Sequence, residues 1–148
     1  MFVGDKIEAL VDLFDQREVS LLHSCQLIDF QSYIRLGGIP SRKLLEDCHL
    51  AFTKFETDCL DRTNGVWDKV FLNLQDFGAI FASGSMGVPT VYGPITFAMS
   101  PSVLRSATDV AICLRSAGIY GVQREYESLQ TIEEVKRLFY HDINEGCA

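Results

Sequence analysis

Val19-Ser-Leu-Leu-His-Ser-Cys-Gln-Leu-Ile-Asp-Phe-Gln-Ser-Tyr-Ile-Arg-Leu-Gly-Gly-Ile-Pro-Ser-Arg42 is the stretch in which the hydrophobic pattern changes period. Residues 19–22 form a short apolar run that predicts a strand ending at His23. Leu27, Phe30, Tyr33 and Ile34 then recur at helical spacing, so a helix is expected over residues 26–36. Gly37-Gly38 stops it, because glycine accepts the left-handed backbone that a helix C-terminus favours. Pro40 bars the residue before it from helical geometry, and Ser41 can cap a further short helix through Leu44 and Leu45.

Upstream, Ile7, Leu10, Val11 and Phe14 fall at i, i+3, i+4 and i+7, one face of a helix over residues 4–14. Downstream, residues 53–63 are polar and give no clear pattern, and Asn64-Gly65 marks a turn. Strands are expected at residues 70–74, 95–99 and 109–114, with an extended piece at 122–129. Ser83–Pro89 and Gly118–Gly121 read as loops, and Ser100-Pro101 opens a brief helix. Thr131 and Glu134 form a capping box, which starts a last helix through Val135, Leu138 and Phe139. Helices crowd the first third and strands the remainder, which favours an α+β fold over a regular βαβ array.

At 148 residues with 47% apolar content, the chain can bury a core as a single domain, and residues 1–148 are expected to form one. A net charge of −7 disfavours general binding to duplex nucleic acid, although a local basic site is compatible with it. Five scattered cysteines without a Cys-x-x-Cys pair read as reduced thiols, mostly in the core of a cytoplasmic protein, and no metal is expected. No run approaches the ~18 apolar residues of a membrane span, and no signal peptide is visible. The glycine-rich loops of dinucleotide-binding and P-loop proteins are absent.

Three groups of residues could carry chemistry. His23-Ser24 lies where a strand is expected to end, and a neutral imidazole there can bond a ribose hydroxyl; the structural alternative is that Ser24 caps the next helix. Gln123, Glu125 and Glu127 alternate, so on a strand they share one face, and a carboxylate beside a sugar can steady positive charge growing at the anomeric carbon. The alternative is an edge strand kept soluble by its charges. Arg35, Arg42 and Arg62 each lie near a turn or helix end, and an arginine fork can grip a diphosphate in two places; a lone surface arginine is otherwise merely solvated. Tyr92-Gly93-Pro94 offers either an aromatic platform or a turn.

Taken together, residues ~19 to 129 resemble the ADP-ribosyltransferase superfamily, and most of all its DarT-type DNA-modifying toxins. The likeness rests on Leu22 through Arg42, on Asp68-Lys-Val-Phe-Leu-Asn-Leu74, on Ile95-Thr-Phe-Ala-Met-Ser-Pro-Ser-Val-Leu104, and on Gln123-Arg-Glu-Tyr-Glu127, which is similar to the superfamily's Gln/Glu-x-Glu element. The resemblance implies a split mixed β-sheet with N-terminal helices, and NAD as co-substrate without a metal. It places His23 on the nicotinamide-side ribose and counts Ser24 and Tyr33 among the NAD-binding residues. Arg42 or Arg62 would contact the diphosphate, Glu127 would stabilise the oxocarbenium-like transition state, and Glu125 would orient the nucleophile; the last two could exchange roles. The acceptor would be a nucleic acid base or a protein, and a toxin-like chain would have an inhibitory protein partner. Two other functions fit the same residues: a noncatalytic interaction or immunity module, and an RNA 2′-phosphotransferase-like enzyme.

Overall fold

The computed structural model describes residues 1–84, 92–116 and 120–139; the side chains of Phe81 and Arg124 fall outside that description. Among the described residues the fold is α+β, with helices and two small antiparallel sheets. By internal contacts the chain divides into two compact units. The first holds residues 1–20, 100–116 and 121–139, and the second holds residues 21–84 and 92–99 together with residue 120.

In the first unit, α1 (Asp5–Gln16) buries Ile7, Leu10, Val11, Leu13 and Phe14, as its apolar spacing requires. It packs on a 3-10 turn, Pro101–Ser106, and on α7 (Ile132–Lys136). Ser100 accepts from the Ser102 N–H and Pro101 opens the turn, so the expected start is present, but the element is 3-10 rather than α. Thr131 and Glu134 make the expected capping box of α7, and a 3-10 turn over Arg137–Phe139 carries the chain on, bringing Phe139 edge-on to Phe14. The strand expected over residues 109–114 shrinks to β3 (Ile112–Cys113), with Val110 bridged to Phe2. β3 pairs antiparallel with β4 (Ser128–Leu129).

In the second unit, β1 (Leu21–Cys25) pairs antiparallel with β2 (Ile95–Met99), with Leu21 opposite Met99 and Cys25 opposite Ile95. The strand therefore starts later than expected, at Leu21, and runs past His23 and Ser24 to Cys25 instead of ending at His23. α2 (Leu27–Leu36) follows, closed by Gly37 at φ 73°. Its apolar residues are buried only in part: Tyr33 is buried and Phe30 packs on the core, but Leu27 and Ile34 are 58% and 64% exposed, whereas Asp29 and Ser32 are buried. The reason is polar. Asp29 and Ser32 bind the backbone of residues 51–53, and those bonds set the rotation of the helix. The core beneath is Cys25, Tyr33 and Leu45, flanked by Phe30, Ile39, Leu50, Phe52, Ile95 and Phe97.

Ser41 caps α3 (Arg42–Asp47) by accepting from the Leu44 N–H, as expected. The unpatterned residues 53–63 yield α4 (Asp58–Thr63). Residues 70–74, expected as a strand, form none: one bridge joins Asn73 to Leu22. α5 (Phe77–Gly84) comes next, and residues 85–89 of the expected Ser83–Pro89 loop lie outside the described residues, as do residues 118 and 119 of the later loop. Gly78 lets α5 approach the sheet, since a Cβ there would lie 2.8 Å from Ser24 Oγ. Gly93, at φ 81°, sits so close to the Cys25 carbonyl that no side chain fits. Tyr92 lies in this turn with its ring partly exposed. Of the thiols, Cys25 is buried and Cys113 half-buried, but Cys48 and Cys59 are exposed, so core filling accounts for only part of the set.

Candidate functional site

β1 carries His23 into a closed set of hydrogen bonds. Nδ1 donates to the Phe71 carbonyl at 2.8 Å, because a carbonyl can only accept. In the neutral ring Nε2 is then an acceptor, and the Tyr33 hydroxyl donates to it at 3.0 Å. Burial lowers the His23 pKa, against the opposing pull of the Phe71 bond and of Asp29, while Arg42 adds to the lowering. At neutral pH the imidazole is therefore uncharged. Burial, followed by Asp29, raises the Tyr33 pKa, and burial pushes the Cys25 thiol up to about 11, so neither ionises near neutrality.

Beside this pair, Asp29 is 4% exposed yet fully supplied with donors. It accepts from the Gln26 N–H at 3.2 Å, the Thr53 N–H at 2.9 Å and the Thr53 hydroxyl at 2.6 Å. Ser32 donates to the Ala51 carbonyl at 2.5 Å, and Arg42 Nη1 donates to the Thr53 carbonyl. The Arg42 guanidinium also lies over Phe52 and Phe55, 5.1 and 4.8 Å from the ring centroids. Asp58 on α4 has one carboxylate oxygen buried without a partner, and burial together with Asp58 raises the pKa of Asp61.

Ser24 belongs to a separate chain of contacts. Its hydroxyl bonds Thr96 Oγ1 at 3.0 Å, and Thr96 donates to Asp76 at 3.3 Å. Asp76 in turn accepts from the Ala79 N–H in the first turn of α5, whereas the cap of α2 is supplied by Gln26 and Asp29, so Ser24 does not fill that place. Arg62 is committed elsewhere: it pairs with Glu46 at 2.8 Å and lies 3.8 Å over Trp67, whose indole also donates to Glu46. Arg35 sits exposed in the last turn of α2.

Gln123, Glu125 and Glu127 do not line one face of a strand, because residues 124–127 form α6, a single helical turn. The turn is closed by the Glu127 carboxylate, which accepts from the Gln123 N–H at 2.9 Å. The same carboxylate takes both Nε and Nη2 of Arg115. The Arg115 bonds, followed by that N–H, hold the Glu127 pKa at about 2. Glu125 is exposed.

Of the residues singled out in the sequence, the structure joins His23 and Tyr33 by a hydrogen bond and places Arg42 in the same unit. Ser24 and Arg62 belong to the same unit but to other clusters, and Glu125 and Glu127 belong to the other unit. Sequence reasoning missed Asp29, Thr53 and Arg115. Asp29 could have been found: it stands three residues after Gln26, the spacing of a capping box, and interrupts an apolar helix face. For Thr53 and Arg115, whose partners are 24 and 12 residues away, no local signal exists. Among the described residues no cluster of His, Cys, Asp and Glu could hold a metal ion, and no helix is long and apolar enough to cross a membrane. Comparison with protein-family models, curated proteins and solved structures gives no match.

Proposed function

We propose that the chain is an NAD-dependent ADP-ribosyltransferase, toxin-like, that transfers ADP-ribose to a macromolecular acceptor, either a nucleic acid base or a protein. The observation that carries this reading is the 3.0 Å hydrogen bond between His23 and Tyr33, two residues matched to the superfamily for NAD binding, with the third, Arg42, in the same unit. On this reading the fold is the superfamily's, a split mixed sheet with N-terminal helices.

The chemistry of the side chains fits NAD. A neutral imidazole both donates and accepts, so a ribose hydroxyl can replace the Tyr33 hydroxyl at Nε2. Arg42 is held between a carbonyl and two rings, so its fork is ordered before a diphosphate arrives, which lowers the entropy cost of gripping it. Glu127, with its pKa held at about 2, is ionised throughout the physiological range, the state that stabilises an oxocarbenium-like centre. Glu125, free to solvent, orients the incoming nucleophile.

A second reading, a noncatalytic interaction module, is favoured by one specific observation: the Glu127 carboxylate already has its donors from Arg115 and Gln123, as a purely structural acid would. Nicotinamide release separates the two. The enzyme frees nicotinamide from NAD, at least slowly to water, and Glu127→Gln abolishes that release by orders of magnitude while circular dichroism stays unchanged. Loss on Glu125→Gln alone would exchange the roles of the two acids. A wild-type protein that releases none and shows no thermal shift at millimolar NAD would sink the transferase and leave the module.

A further inference from the structure

We infer that the His23 side chain is a stop that keeps residues 70–74 one residue pair short of becoming a third strand on β1. The register makes this specific. Leu22 and Asn73 exchange both backbone hydrogen bonds, each 2.8 Å, so they form a hydrogen-bonded antiparallel pair. The next such pair along the same ladder joins Ser24 to Phe71, with the Ser24 N–H donating to the Phe71 carbonyl and the Phe71 N–H donating to the Ser24 carbonyl. No backbone hydrogen bond joins those two residues. The Phe71 carbonyl is taken instead by Nδ1 of His23, from the residue next to the one that would pair with it.

The segment is otherwise suited to a strand. Val70-Phe-Leu-Asn-Leu74 has the β-branched and aromatic composition of one, and contains neither glycine nor proline. Val70, Phe71 and Leu74 keep partly exposed side chains. Whatever draws the imidazole away from Phe71 frees that carbonyl for Ser24 and lets the ladder advance by two hydrogen bonds. Occupancy at His23 and strand order in residues 70–74 are therefore coupled. This inference does not rest on the transferase reading, and its test uses the protein without NAD.

The test is amide hydrogen exchange at four residues. In the wild type, Leu22 and Asn73 are slow while Ser24 and Phe71 exchange freely. His23→Val, which offers no donor and favours a strand, slows Ser24 and Phe71 by about tenfold or more, as two new backbone hydrogen bonds would. His23→Asn, whose side-chain amide can replace the Nδ1 donor, keeps the wild-type pattern. A folded valine variant, shown by slow Leu22 and Asn73, in which Ser24 and Phe71 remain fast would overturn the inference. So would a wild type in which those two amides are already as slow as their neighbours. Should the valine variant not fold, His23→Ala puts the same question with the same two outcomes.

Discussion

Asp29 and Glu127 are both carboxylates with three donors, but they are held in different ways. Asp29 is almost wholly buried and takes two backbone N–H groups and a hydroxyl, with no cation bonded to it. Glu127 keeps 19% of its side chain exposed and takes an arginine fork and one N–H. The first fastens residues separated by 24 positions, and the second closes one helical turn and an arginine 12 residues away. A buried acid satisfied by backbone donors is part of the fold, because removing it strands those donors in the interior. A partly exposed acid satisfied by arginine can be exchanged, because water and other anions compete for the same fork.

Three measurements break or sharpen this contrast. The largest effect is expected from Asp29→Ala, which leaves two N–H groups and a hydroxyl unpaired and should cost about 3 kcal/mol in denaturant unfolding. A loss well below 1 kcal/mol would mean that Asp29 is dispensable. A smaller effect is expected at Glu127. Its folded pKa is depressed from 4.5 to about 2, so its stabilising contribution is complete above its ordinary value and is lost as pH falls between the two. Carboxyl chemical shifts should show the low midpoint in the wild type and a return toward 4.5 in Arg115→Gln. An unchanged midpoint in that variant would remove arginine as the cause. The smallest effect concerns Asp61, whose raised pKa has the opposite sign: its contribution is present below the unfolded value and lost as pH rises through the folded one. Asp61→Asn should accordingly raise Tm slightly at neutral pH, and a lower Tm would show that attraction to Arg42 outweighs burial.

The α+β class was legible in the sequence, and so were the elements with strong local signals. Four apolar residues at helical spacing placed α1, Gly37 ended α2, and Thr131 with Glu134 started α7. What failed was decided by distant partners. Residues 70–74 read as a strand but are kept from the ladder by an imidazole 48 positions away in the chain. Gln123 to Glu127 alternate like a strand, yet a carboxylate bonded to its own upstream N–H and to Arg115 coils them into a turn. α2 presents Asp29 inward where the apolar pattern favours Leu27, because the loop at residues 51–53 supplies donors that no pattern within the helix reveals. Candidate site residues were thus identified by type, while their commitments came only with the fold. Arg62 is occupied by Glu46 and Trp67, and Arg42 by the Thr53 carbonyl and the rings of Phe52 and Phe55.

The most direct test of the functional reading is a titration of the protein with NAD, followed through the ring signals of His23 and Tyr33. The expected result is saturable movement of both sets of signals, with much weaker binding in Arg42→Gln. Ring signals that stay fixed up to millimolar NAD would contradict it.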